Sequence, residues 1–527
     1  MPRAFVASIL ILLPSVVAAH AAPAASADVG QVAFANSGSP EAQPDFLRGL
    51  ALLHNFEYET AAEAFREAQR IDPGFAMAHW GEAMTHTHPL WSQQDLEAAR
   101  AVLARLGATP EARLAKAPTE RERDYLRALD VLYGDGTKEE RDLLYADAMA
   151  ALQARWPDDV DAAAFRALAV LGTSHGGRDT ATYMRAAAVL EEVFPAHPRH
   201  PGVLHYLIHS YDDPVHAPLG MRAARVYGEV APEAGHALHM TSHIFVAMGM
   251  WDEVIDANRR AIATVDRQRA ARSRPPAACG HYPLWLHYAL LQSGQAQAAN
   301  AALEACRASA LDGEFVSGGP MDSRSGRIES YAEMRAHHLA LGASPLPAAH
   351  ESVTLPEGSE TEEARFLLVY GDALAAARRG DQAALTAAVQ RLRGSGDEGH
   401  APASHAMPMP MPGMDRPGRA ARVAVMVQQA EALELAAAGR RDEAVRVLEE
   451  ARRAEEAIPF EFGPPVPPKP TAELLGELLL DAGRAGEAEA AFRAALRRAP
   501  GRASAAAGLE RARAASAASV AAGSALD

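Results

Sequence analysis

Aromatic residues make up only 6% of this 527-residue chain, while alanine runs are frequent. That balance disfavours sheets, which draw on aromatic and β-branched side chains, and favours close-packed helices. Positive charge is also short: 51 Lys and Arg stand against 67 Asp and Glu, a net −16. Nucleic-acid binding relies on Lys and Arg displacing counterions from phosphate, so no nucleic-acid partner is expected. No apolar run beyond the N-terminus approaches the roughly 20 residues of a spanning helix, so no membrane span is expected either. Cysteine occurs only at Cys279 and Cys306. This excludes a lipid anchor on an N-terminal cysteine; the two could bridge in an oxidising compartment, at a separation the sequence does not give. Also missing are His-Glu-x-x-His, nucleophile-elbow and phosphate-cradling glycine signatures, so no catalytic residue is assigned. With 49% apolar and 22% charged residues, the composition is nonetheless that of a folded protein.

Residues 1–27 carry Arg3, an apolar run from Ala4 to Ala19, and small residues with Ala-x-Ala cuts after Ala21 or Ala27. They read as a cleaved signal peptide and imply a periplasmic or secreted protein. Residues 28–41 read as a linker. From residue 42 onward a period of about 34 residues organises the chain. Gly476, Leu479, Ala488, Phe492, Ala495 and Pro500 repeat the spacing of Gly49, Leu52, Ala61, Phe65, Ala68 and Pro73. Weaker units begin at Gly280, near Phe366 and at Val425. A helix hairpin of this kind cannot bury its surface alone, so about ten units stack and curve around a concave face lined by their first helices. The array covers 42–393 and 420–511. Residues 394–419 form a Gly-, Pro- and Met-rich stretch expected as an exposed loop, and 512–527 an Ala- and Ser-rich tail expected to be disordered.

The densest histidines fall in two consecutive units that start 34 residues apart, at Pro201 and Gly235. At about 100° per residue, His236, His239 and His243 share a stripe about 60° wide, with Leu238 and Phe245 opposite. In the preceding first helix His205 and His209 form an i, i+4 pair with Asp212 on the same stripe. An i, i+4 pair can reach one metal, and a third ligand from the adjacent helix would complete a facial site with open positions for copper, zinc or iron. The same rings could instead hydrogen-bond one another and the Asp212 or Asp213 carboxylates, or contact a peptide. Trp80, Met84, His88, Met240 and His281 fall at groove-lining positions. The stretch holding His405, Met407, Met409, Met411 and Met414 resembles the Met-rich segments of exported copper-handling proteins, whose thioethers suit Cu(I); a flexible Pro-rich insert is the other reading.

From Ala42 to Leu509 the chain resembles exported bacterial tetratricopeptide-repeat proteins, in HNFEYETAAEAF, AMTHTHPLW, PGVLHYLIHSYDDP, HALHMTSHIF and TAELLGELLLDAGR. The resemblance implies an all-α, right-handed superhelix that binds a protein, peptide or small ligand in its groove, most often as an interaction scaffold, and it implies no reaction. The acidic balance and the histidine stripe depart from peptide clamping by Lys and Asn. A metal-binding protein or metalloenzyme with its site at His205, His209, Asp212, His236, His239 and His243 is the alternative.

Overall fold

The computed structural model describes residues 27–312, 323–342, 345–351, 353–355, 361–397 and 418–524. The expected signal segment up to residue 26 and the Met-rich stretch with His405, Met407, Met409, Met411 and Met414 lie outside them. Among the described residues are twenty-three α-helices, and the strands are limited to the short pair Thr87–His88 and Gln93–Gln94. Thr119 and Thr137 each open a helix with a capping box, their hydroxyls accepting from Glu122 and Glu140 while those carboxylates accept the cap N–H. The chain is an all-α solenoid of stacked helix hairpins.

One packing unit recurs at both ends of the array. Phe65, on helix Tyr58–Ile71, sits between Gly49 and Gly81 of the two flanking first helices; Phe492, on helix Ala485–Arg498, sits between Gly476 and Gly508. A Cβ added at Gly49 would lie 2.9 Å from the Phe65 ring, and one at Gly476 would lie 2.9 Å from the Phe492 ring. Both triplets are spaced 16 and 16 residues. Each large ring therefore needs a bare backbone on either side, which is why the glycine and phenylalanine positions repeat together.

Three boundaries differ from expectation. The segment 28–41 is no linker: Val29, Val32 and Phe34 are buried, Asn55 Nδ2 donates to the Val29 carbonyl at 2.7 Å, and the Phe34 ring lies 5.2 Å from Tyr125 and 6.0 Å from Trp80. Its apolar side chains strap the first units together. The Ala/Ser tail continues as part of helix Ala503–Ser524, consistent with alanine's helix propensity. Before the loop, helix Gln382–Asp397 runs three residues past 394. Cys279 and Cys306 are bridged.

The C-terminal units return to the middle of the chain. Trp251 Nε1–H donates to the Gly501 carbonyl at 2.9 Å and the Ala503 N–H to Gln292 Oε1 at 2.8 Å. Arg502, fully buried, donates to the Tyr288 hydroxyl at 3.0 Å and pairs with the buried Glu473 carboxylate. Between helices Arg441–Ala457 and Thr471–Asp481, a proline-rich segment then crosses the inner face. Gly463, at φ +96°, presses its backbone against the Trp285 ring, where a side chain would collide.

One buried acid makes stability depend on pH. Burial pushes the Glu329 carboxyl up to about 7, and neighbouring Glu363 and Glu333 add to it, against an ordinary value of 4.5. A proton bound more tightly in the folded chain favours folding below pH 4.5, and this contribution is lost as pH rises through 7. Glu329→Gln is therefore expected to raise the unfolding temperature at pH 8, by at most about 3 kcal/mol of stability, and to change little at pH 5. Thermal melts at the two pH values check this.

Candidate metal centre

Helices Pro201–Tyr211 and Gly235–Met248 are the first helices of consecutive hairpins and lie side by side, with His281–Gln292 next in the array. The N-terminus of the second is held from far away in sequence: Glu57 Oε1 accepts the His236 N–H at 3.1 Å. This satisfies an otherwise orphaned helix donor and fixes the first imidazole. His205, His209, His239 and His243 are each at most 2% exposed; His236 and His281 are half-buried.

The rings fall into two sets. In the first, His205 Nδ1–H donates to the His54 carbonyl at 2.6 Å, and His209 turns Nδ1 to Asp212 Oδ2 at 3.4 Å. Their Nε2 atoms, and that of His236, are buried without a hydrogen-bond partner, and one donor atom from each of the three residues lies within 4.8 Å of the others. A single buried polar atom left unpaired costs about 1–3 kcal/mol.

In the second set the tautomers follow from the neighbours. Asn258 Nδ2 donates to the Val254 carbonyl at 2.9 Å, which leaves only its Oδ1 to face His239 Nδ1 at 2.7 Å; that nitrogen must carry the proton. His243 Nδ1–H donates to Asp212 Oδ2 at 3.0 Å. Both Nε2 atoms then present lone pairs to each other across 3.2 Å. Neutral imidazoles do not hydrogen-bond lone pair to lone pair, whereas a cation between them is held by both. His281 completes this group within the same 4.8 Å limit.

Burial, then the neighbouring imidazoles, push His205, His236 and His239 well below the ordinary histidine range. Burial lowers His243 to about 4, against the pull of Asp212. For Asp212 burial acts upward, but Arg178 and the His209 and His243 rings outweigh it and hold the carboxyl below the usual range. His205, His236, His239 and His243 are thus neutral imidazoles beside one ionised carboxylate.

A third cluster joins His54, Asp161 and His200. His54 Nε2–H donates to Asp161 Oδ1 at 2.9 Å while its Nδ1 accepts from the Tyr206 hydroxyl at 3.0 Å; His200 Nδ1 accepts the Val203 N–H and its Nε2 faces Asp161 at 3.3 Å. His54 is satisfied within the protein, whereas His200 Nε2 is buried without a hydrogen-bond partner, and the three residues offer ligand atoms within 4.8 Å of one another.

Several positions read as groove-lining are placed elsewhere. Trp80 is 1% exposed among Phe34, Tyr125 and Phe165, because the N-terminal strap covers it. Met84 is buried under the Tyr145 hydroxyl and Met240 is fully buried in the core. His88 donates to the Thr85 carbonyl at 3.2 Å and stacks on Tyr58, with Trp91 between it and His236. Asp212 offers a ligand atom within 4.8 Å of those of His209 and His243, while its Oδ1 is paired with Arg178 and its Oδ2 accepts from His243 Nδ1–H. Side chains not anticipated from sequence complete the surroundings: Trp285 stacks on His243 at 4.6 Å, and Phe462 of the proline-rich segment lies 4.6 Å from the same ring. The interruption of helix pattern by PFEFGPPVPPKP was the available signal for that cover. A cavity of about 70 Å³ reaches Asp212 from beneath this segment, and a larger cleft of about 770 Å³ lies away from both sets, beside His200 and Arg121.

No protein-family model matches the chain, and no curated protein matches it. Among solved structures it is similar to the APC/C hetero-tetramer Cut9–Hcn1, at 13% identity over 91% of this chain and 78% of that one, TM-score 0.32. It is also similar to yeast Tom70, at 10% identity over 91% and 96%, TM-score 0.31. A third is the TPR domain of P58(IPK), at 13% identity over 91% and 99%, TM-score 0.21.

Proposed function

We propose that this is an exported metal-binding protein whose helical array builds two three-imidazole sites, His205 with His209 and His236, and His239 with His243 and His281. The observation that carries this is the first set itself: three buried Nε2 atoms have no partner, in residues whose ligand atoms lie within 4.8 Å of one another, while Nδ1 of His205 and His209 is engaged by outer contacts. Such outer contacts orient ligating histidines and raise their basicity. Neutral imidazoles select copper, zinc or iron over magnesium and calcium, and copper(II) stands highest in the divalent affinity order. Three donors leave a coordination position open, the arrangement in which a metal polarises a ligand or activates water. The half-buried His236 and His281 mark the side from which a small ligand enters. The Cys279–Cys306 bridge fits an oxidising compartment. Clamping of a peptide along the inner face is disfavoured at this point, because the chain's own Phe462 covers His243.

Elemental analysis of untagged protein is expected to find a transition metal in the wild type and a clear loss in His239→Ala/His243→Ala. Equal and negligible metal in both samples would overturn the reading.

A further inference from the structure

We infer that the two three-imidazole sets form one coupled two-metal centre, with Asp212 as the outer carboxylate common to both; this rests on the metal reading above. Asp212 caps the C-terminus of helix Pro201–Tyr211 and is 1% exposed. Its Oδ1 is taken by Arg178, which also donates to Asp213 Oδ2 at 2.8 Å and to the Ser210 carbonyl at 3.1 Å, so the carboxylate cannot turn. An ion pair with arginine needs nothing more. Yet Oδ2 is aimed at Nδ1 of two imidazoles from different sets, 3.0 Å from His243 and 3.4 Å from His209. One oxygen thereby sets the orientation of a ligand in each site.

The rings of the two sets also interleave. Within sets the centroid separations are 4.9 Å for His205 and His209, 5.1 Å for His205 and His236, 5.1 Å for His239 and His243, and 4.5 Å for His239 and His281. Between sets they are 5.4 Å for His209 and His243 and 6.1 Å for His236 and His239. The spacing across the boundary is nearly that within each set. Ions held on such rings would be near neighbours.

The test uses full-length, metal-free protein loaded with Cu(II). Its electron paramagnetic resonance is expected to show a spin count well below the bound copper, or a half-field line from an interacting pair. Two independent signals that integrate to all the copper, with no half-field line, would overturn the coupling. In copper titrations Asp212→Asn is expected to weaken both ions by about 10- to 100-fold, whereas Asn258→Ala weakens only the ion on His239 and His243. An Asp212→Asn effect confined to one ion would overturn the shared role. Should that variant fail to fold, the wild-type spectrum decides alone. A wild type that binds no copper removes the metal reading itself, while two uncoupled ions remove only this inference.

Discussion

Zinc added to the metal-free chain is expected to raise its unfolding temperature, and EDTA to return it to the starting value. An ion that binds only the folded chain stabilises it by about 4 kcal/mol when its concentration is a thousand times the dissociation constant. The effect here is concentrated, because the ligands come from helices Pro201–Tyr211, Gly235–Met248 and His281–Gln292, the first helices of three hairpins. The unpaired Nε2 atoms add to it, since their desolvation is already suffered by the metal-free fold and is relieved on binding. His205→Ala is expected to keep part of the zinc response, and His205→Ala/His239→Ala none. Scanning fluorimetry over a zinc series measures both. A wild-type curve that does not move with zinc or copper would contradict the expectation.

Arg502→Met is expected to cost about 3–5 kcal/mol, because it removes one partner of a fully buried ion pair and leaves the Glu473 charge under-compensated. Lys469, 2.6 Å from Glu473, cannot substitute, since it also serves Glu477 at 2.6 Å. Burial acts to raise the Glu473 carboxyl, and Arg502 and Lys469 together hold it below the ordinary range, so the contribution is present above pH 4.5 and fades as pH falls. Adding Glu473→Gln is expected to recover much of the loss by removing the stranded charge. Arg502 also donates to the Pro468 carbonyl at 3.2 Å, which anchors the segment carrying Phe462 against His243. The variant should therefore also speed metal exchange. Denaturant unfolding reads the stability, and a loss below about 1 kcal/mol would show the pair to be energetically silent.

Much of the histidine cluster is legible in the sequence. The His205/His209 and His239/His243 pairs have the i, i+4 spacing that puts two rings on one helix face, and the repeat length set them on adjacent first helices. The glycine and phenylalanine positions likewise announced their packing, because a ring seated on bare backbone requires the same interval each time. What escaped is what lies above a helix face. Trp80 and Met84 have inward angles on their own helix, but Phe34 of the strap and Tyr145 fill the space before them. The Asn258 contact comes from the second helix of the same hairpin and the Arg178 contact from the preceding hairpin, 19 and 34 residues from the groups they orient, and no periodicity names the partner across such an interface. Asp212 shares the histidine stripe, but the stripe does not name Arg178, which pairs with its Oδ1.

Anomalous diffraction at the copper edge, from crystals of the full chain grown with copper, tests the central claim most directly. Two peaks are expected, each about 2.0–2.1 Å from three imidazole nitrogens, one among His205, His209 and His236 and the other among His239, His243 and His281, with Nε2 as the bonded atom on His205, His209, His239 and His243. Anomalous density only at surface histidines, with these six rings unchanged and no peak between them, would contradict it.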